Sequence, residues 1–437
     1  MGSRRTGGRR AYGMTLAAAA SYTCLMFVWF SLPAYLPTII GDVGLTNTQA
    51  GVLAGAIPLT YIPLALFSGL AVDRLGPGRA IGVGVLVYGG GQIGRSVAPG
   101  FASLLAFTLV MGVGATAITF GLPKLVSVLF PPARTGRPTA LYLVAASAGS
   151  AGVFAVGRPV LGPALGGWRP LFLWSGVVAV AYGAIWLLVA LRIGIDDADG
   201  SGSGDADDTW NGDTDDAGSG NGDEDRTGDA GEDGGRLDPG SLAADLRLVL
   251  THRELQLVVA VGTMYLLINH GMQGWLPTLL ESRGLPAALA GQATSLFVVA
   301  VVVGVLGIPE LADRFDARRP ALAASGAVAF LGITALIAGD TGALAVVGIA
   351  AAGLGTGGLS PLVRTIPPEL DGIGSRLTGT AVGFIFAIGE IGGFAGPVLV
   401  GTLYDATGSY GPGFGILAAG AVGVVLAGGA LVSLDRG

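Results

Sequence analysis

The sequence predicts an all-α membrane protein of twelve transmembrane helices, arranged as two parallel six-helix halves. Three observations carry this reading. Of 437 residues, 51% are hydrophobic and only 12% charged, with a mean hydropathy of +0.67, whereas a soluble domain carries about 25% charged residues. Apolar segments near the ~20 residues that a spanning helix needs recur twelve times. The chain also repeats itself at an offset of 240 residues: Leu36-Pro37-Thr38 returns as Leu276-Pro277-Thr278, Gly44-Leu45 as Gly284-Leu285, Ala50-Gly51 as Ala290-Gly291, and Asp73-Arg74 as Asp313-Arg314. Both copies read in the same direction, and a parallel duplication of this kind places a substrate site between the halves.

The elements follow in order. Residues 1–12 form a basic tail with Arg4, Arg5, Arg9 and Arg10. The apolar run behind it is longer than the core of a cleaved signal peptide, so it reads as a retained first span. Spans are expected at 13–38, 48–71, 79–99, 102–130, 138–163 and 170–193, then at 256–280, 289–309, 319–338, 342–364, 377–401 and 412–434. The first six make one half (13–193) and the last six the other (256–434), with a short tail at 435–437. The 77 glycines suit close helix approach in lipid, where small residues replace the missing hydrophobic drive.

Residues 194–255 interrupt the pattern. Between 196 and 235 lie fifteen of the thirty acidic residues and one base, Arg226. The segment has almost nothing to bury and repels itself, so it reads as an acidic disordered cytoplasmic linker. Residues 241–255 look like an interfacial amphipathic helix. A calcium-loop reading fails for want of the ligand spacing, the glycine and flanking helices. The low pI belongs to this loop. Together with the arginine bias (one lysine among 24 basic residues) it points to the cytosol of a halophile. With the N-terminus inside, only Arg95, Arg158, Arg169 and Arg283 fall near outer helix ends. By the positive-inside rule both termini are expected in the cytoplasm of a multi-pass protein of the cell membrane.

Between spans two and three the chain reads Gly69-Leu70-Ala71-Val72-Asp73-Arg74-Leu75-Gly76-Pro77-Gly78-Arg79. This resembles the signature loop of the major facilitator superfamily. The second copy, Pro309 to Arg319, is degenerate: Pro309 stands for the first glycine and Asp316 for the second. In that family the loop latches the two halves, so the resemblance implies a gating role for Gly69, Asp73, Arg74, Gly76, Arg79, Asp313 and Arg314. The chemistry agrees, since an acid at a helix end can pair with arginine or with the N-terminus of another helix. The stretch Gly274-Trp275-Leu276-Pro277-Thr278-Leu279-Leu280 and the run from Lys124 to Pro132 resemble the cyanate and nitroimidazole branch. Nitrate porters carry arginines within spans two and eight, and this chain has neither. Arg158-Pro159 interrupts the glycine-proline pattern of drug/proton antiporters in span five.

An ionisable group in hydrocarbon is costly and faces a cavity or a partner. Glu390, mid-span eleven, has no base near it in sequence and is a candidate proton carrier or substrate contact; the plainer reading is a neutral acid bonding to a neighbouring helix. His270 and Asn269 lie mid-span seven, with Gln273 on the same face as Asn269. Histidine titrates near neutral pH, so His270 is the other proton candidate. Lys124 and Arg158 are candidate anion-attracting charges, or else snorkel to the interfaces, Arg158 alternatively pairing with an acid. Arg95 and Arg364 read as anchors near span ends. Trp29 and Tyr35 are candidate cavity aromatics on span one.

These features favour a secondary transporter moving a small anion or weakly acidic organic compound by alternating access, coupled to protons. Its expected partners are that solute, protons and lipid, with no cofactor, no nucleic acid and a monomeric state. A drug or metabolite exporter is the alternative, and a transport-inactive sensor on the same fold is a third. One cysteine (Cys24) and two histidines exclude a cysteine-ligated or histidine-rich metal centre, no phosphate-binding Gly-x4-Gly-Lys-Ser/Thr motif occurs, and too few histidines, cysteines and paired acids fall in the spans for an enzyme.

Overall fold

A chain in hydrocarbon must satisfy its backbone polar groups within itself, which favours helices. The computed structural model describes residues 3–131, 134–193, 251–370 and 373–435, and these residues form twelve long helices and no strand. They are α1 (Ser3–Val43), α2 (Asn47–Leu75), α3 (Pro77–Ser96), α4 (Phe101–Leu129), α5 (Gly136–Leu165), α6 (Trp168–Ile193), α7 (Arg253–Ser282), α8 (Ala287–Arg314), α9 (Arg318–Ala338), α10 (Ala343–Thr365), α11 (Gly374–Thr407) and α12 (Gly411–Asp435). The acidic linker and the interfacial segment up to residue 250 lie outside the described residues.

Ten of these helices are long and apolar enough to cross a membrane, and a bent α2 makes up to eleven. The bend, 71° between Leu64 and Phe67, follows Pro63, which removes a helical donor. The remaining helix, α3, is short and glycine-rich and carries Arg79, Gln92 and Arg95. Arg95 is no anchor. It is fully buried, donates to Met111 Sδ at 2.9 Å and lies 4.9 Å from the Phe172 ring centroid.

Most boundaries fall within a few residues of the expected spans, because the turns carry strong signals. Gly44 leaves α1 at φ +72°, and its repeat partner Gly284 leaves α7 at φ +88°, backbone that glycine adopts at little cost. Thr46 and Gln49 then form a capping box that starts α2. Gly76 turns between α2 and α3 at φ +81°; its partner is Asp316, at φ +47°. Aspartate is among the few residues that tolerate this region, so the degenerate second loop keeps the same turn. At the other end of the molecule, Arg283 donates to the carbonyls of Leu336, Ile337 and Asp340, closing the C-terminus of α9.

We call the end bearing the chain termini the terminal end, and the end bearing the α1–α2 and α7–α8 turns the far end. Packing is mostly within α1–α6 and within α7–α12; α2 against α11 and α5 against α8 are the main joints between the groups. The repeat shows in the bonds themselves. Tyr35 on α1 donates to the carbonyl of Gly157 on α5 at 3.4 Å, and Trp275 on α7, 240 residues on, donates to that of Pro397 on α11 at 2.8 Å, again 240 residues on. The glycines at the joints are also 240 residues apart. A Cβ on Gly51 would strike the carbonyl of Pro397, and one on Gly291 the carbonyl of Phe154.

Replacing Gly51 and Gly291 together by leucine should therefore part the groups at the far end. Thr278→Cys in a Cys24→Ser background is a reporter there, since Thr278 is buried near the far end of α7. Its labelling rate should rise at least about tenfold, as a loss of roughly 1.4 kcal/mol from the closed form would give. An unchanged rate would show that these contacts do not hold the groups together.

Candidate functional site

Depth is set by helical rise. At about 1.5 Å per residue, Trp29 on α1, Tyr61 on α2, His270 on α7 and Glu390 on α11 all lie roughly 18–26 Å from the far ends of their helices. They meet. The rings of Trp29 and His270 stack with centroids 5.9 Å apart and planes 24° apart, and Trp29 also contacts Tyr61 at 5.9 Å. Glu390 Oε2 and His270 Nδ1 converge on Gly393, lying 2.7 Å and 3.2 Å from where its Cβ would stand, with Pro58 on the same spot. His270 Nδ1 is 3.2 Å from the carbonyl of Leu266. Glu390 Oε2 is buried and has no hydrogen-bond partner among the described residues. An acid so placed is costly to ionise, and it sits where both helix groups contribute walls.

Asn269 and Gln273 bond to each other, Gln273 Nε2 donating to Asn269 Oδ1 at 3.0 Å; Gln273 is buried and its Oε1 has no partner among the described residues. The remaining candidates lie elsewhere. Tyr35 is engaged by α5 carbonyls. Lys124, half-buried, lies 3.4 Å from exposed Asp73 at the terminal end. That pair ties the α2–α3 loop to α4 rather than presenting a cation to the centre. Gly69, Arg74, Gly76 and Arg79 sit in or beside the same loop. In the second copy Asp313 pairs with Arg318 at 2.7 Å, Arg318 reaches on to Glu369, and Arg314 pairs with Glu310 at 2.5 Å.

Arg158 joins the two groups. Pro159 has no N–H to give, and here α5 widens into a π-helix over Val153–Leu161. The side chain of Arg158 is buried; its Nη2 lies 2.7 Å from both oxygens of Glu281 on α7, and Nη1 donates to the carbonyl of Ala34. A second joint was missed in the sequence. Asp405, near the end of α11, accepts from Asn47 N and Nδ2 at 3.0 Å and from Thr48 N and Oγ1 at 2.7 Å, capping α2 across the interface. The acid complements the positive N-terminus of that helix. Tyr410 adds a bond to Asn47 at 3.1 Å, and Ser295 on α8 donates to the carbonyl of Ala151 on α5. These joints cluster toward the far end.

Arg364 also departs from its anchor reading. It lies near the terminal end of α10 and is exposed, yet its guanidinium carbon is 4.1 Å from the ring centroid of Phe386 on α11. Tyr22, Tyr142 and Tyr265, from three other helices, feel its charge. Tyr22 packs against Tyr142 at 6.2 Å, and Thr119 bonds the Tyr61 hydroxyl at 2.8 Å. The only sequence signal was an arginine beside the glycine run of span ten. No group of three or more metal-binding side chains occurs among the described residues.

Comparisons with known proteins agree with this architecture. The chain is 24% identical over 400 residues to the Bacillus subtilis protein named uncharacterized transporter YycB, covering 89% of this chain and 87% of that one. It is 27% identical to the 3-(3-hydroxy-phenyl)propionate transporter of Escherichia coli, covering 88% and 84%. The crystal structure of a bacterial homolog of the human lysosomal transporter Spinster, inward-facing and unoccupied, superposes with a TM-score of 0.70 at 17% identity over 98% of this chain and 97% of that one, a likeness of fold. The profile of the Major Facilitator Superfamily matches residues 18–397, and the chain, a multi-pass transport protein rather than an enzyme, belongs to that family.

Proposed function

We propose that this protein is a proton-coupled secondary transporter of a small organic anion or weak acid, working by alternating access between two six-helix halves. Glu390 carries the coupling proton, and His270 flanks it. The observation behind this reading is the lone buried carboxyl of Glu390, at mid-depth between the groups, beside His270 and under Trp29. An acid without a base to pair with is neutral when dry and ionises when water or a partner reaches it, which is the behaviour a coupling group needs. The hydroxyphenylpropionate transporter among its relatives supports an organic acid as cargo. The resemblance around Trp275-Leu276-Pro277-Thr278 supports a place in the cyanate and nitroimidazole branch.

In this reading all twelve helices span the membrane, α3 included because its polar residues are turned inward. The arginine distribution supports termini in the cytoplasm. The far end is then the outside, and its joints describe an outward-closed state. Arg158–Glu281 and Asp405 on the α2 N-terminus are the outer latch; the loops with Asp73 and Asp313 are the cytoplasmic counterparts.

Two outcomes follow. Glu390→Gln imitates the protonated acid, so in proteoliposomes it should keep solute exchange while losing accumulation driven by a pH gradient; full pH-driven accumulation would overturn the assignment. Arg158→Gln strands the carboxylate of Glu281, an imbalance that costs about 3 kcal/mol in buried pairs. It should raise far-end labelling of the Thr278→Cys reporter, and adding Glu281→Gln should recover part of the closure. No rise in labelling would remove this pair from the latch.

A further inference from the structure

Resting on the transport reading above, we infer that Arg364 and the tyrosines around it form a carboxylate subsite for an aromatic acid, distinct from the Glu390 proton site and nearer the terminal end. Arg364 and Tyr22 each lie about 32 Å from the far ends of their helices, and Tyr142 about 35 Å, by helical rise. They lie roughly 6–9 Å beyond Glu390 toward the terminal end, with Thr119 and Tyr265 near the level of Glu390.

The contacts fix which way Arg364 faces. A lipid-facing anchor would have headgroups for company. Arg364 instead has Phe386 of α11 under its guanidinium, and the phenols of α1, α5 and α7 within electrostatic range. Among the described residues only its Nη1 is engaged, bonding the carbonyl of Ser360 at 2.8 Å and the hydroxyl of the same residue. Among the described residues no carboxylate lies within ion-pair distance of it. A guanidinium presents five donors in a planar fork matched to a carboxylate. Held over a ring, exposed, and left without an acid among the described residues, it is a site for an anion that is not part of this chain.

The surroundings choose the rest of the ligand. Aromatic faces stack with aromatic faces, and phenol and threonine hydroxyls both donate and accept. A benzoate or phenylpropionate with its carboxylate on Arg364 would lay its ring among Tyr22, Tyr142 and Tyr265. Ring hydroxyls would find Thr119 and the phenols. A small inorganic anion would satisfy the arginine and leave the aromatic wall unused.

The test uses the purified full-length chain, titrated with benzoate, 3-phenylpropionate, acetate and neutral benzamide, with bound ligand read by calorimetry. The wild type should bind the two aromatic acids at least about tenfold more tightly than acetate or benzamide, the equivalent of one good contact. Arg364→Gln should erase the preference for benzoate over benzamide, and Arg364→Lys should restore part of it, which separates a lost contact from a misfolded variant. Tyr142→Leu should narrow the gap between benzoate and acetate. An Arg364→Gln protein that keeps the wild-type preference overturns the subsite, as does wild-type binding of benzamide equal to that of benzoate. Uptake by proteoliposomes separates this from the wider reading. Aromatic acids that bind through Arg364 but never cross would leave the subsite standing and sink the transporter; transport unaffected by Arg364→Gln would do the reverse.

Discussion

The two helix groups touch backbone to backbone at Gly51 against Pro397 and at Gly291 against Phe154, and the rest of the arrangement depends on this closeness. In lipid no hydrophobic force draws helices together, so contact must come from surfaces small enough for carbonyls and Cα atoms to meet. Once α2 lies on α11, Asp405 reaches the open N-terminus of α2. With α5 and α8 joined, Arg158 on α5 reaches Glu281 on α7. Polar joints form where the small residues have already brought the helices into range. They would be poor primary glue, because two charges taken from water gain little net stability from each other. Their value is in registering one state of the interface.

The same economy governs the interior. Glu390 and Arg364 are not paired with each other: Arg364 bonds Ser360 and lies over Phe386, and Glu390 Oε2 has no hydrogen-bond partner among the described residues. Placed in contact, they would neutralise each other and need nothing further. Held apart, each is open, in the proposed reading, to a partner from outside the chain: a proton for the acid, an anion for the base. A carrier requires groups whose partners arrive and leave, and the separation supplies that. Lys124, Arg95 and Arg318 show the contrast. Each is engaged by groups of this chain, by an acid or by a sulfur and a ring, and none is left facing the centre.

The helices and their order were legible in the sequence because hydrophobic length and glycine turns are local signals. So was the duplication, down to Asp316 taking the left-handed turn of Gly76. The mid-depth cluster was half legible. Glu390 and His270 stand out as rare ionisable residues in apolar runs, but nothing local says that they share Gly393, since α7 and α11 are brought together only by packing. Tyr61 and Thr119 gave no signal at all; hydroxyls are common in apolar helices. Arg158 was visible, yet its partner lies 123 residues away on a different helix. Arg364 and Arg95 were misread for one reason. Nearness to a helix end suggests an anchor, and only the tertiary fold shows which way the side chain turns.

The repeat explains why the chemistry had to leave it. A molecule with two equivalent halves places residue i beside residue i + 240 near its axis. Trp29 and His270 stack there, one position out of register, where the strict counterparts are Trp29 with Asn269 and Phe30 with His270. Had the halves remained identical at this depth, a coupling acid would face its own copy. Two carboxyls so close cannot both ionise, and one proton would then be held by the pair. A single proton site at the midline requires that one half keep the acid and the other surrender it. Glu390 stands opposite Ser150 by the strict offset and Ala151 with a one-residue slip, neither of them an acid, which is the asymmetry that the proposed coupling role asks for. The residues that still match across the halves, from Leu36-Pro37-Thr38 to the paired Tyr35 and Trp275 bonds, are those whose task is the same on both sides: letting one group of helices lie on the other.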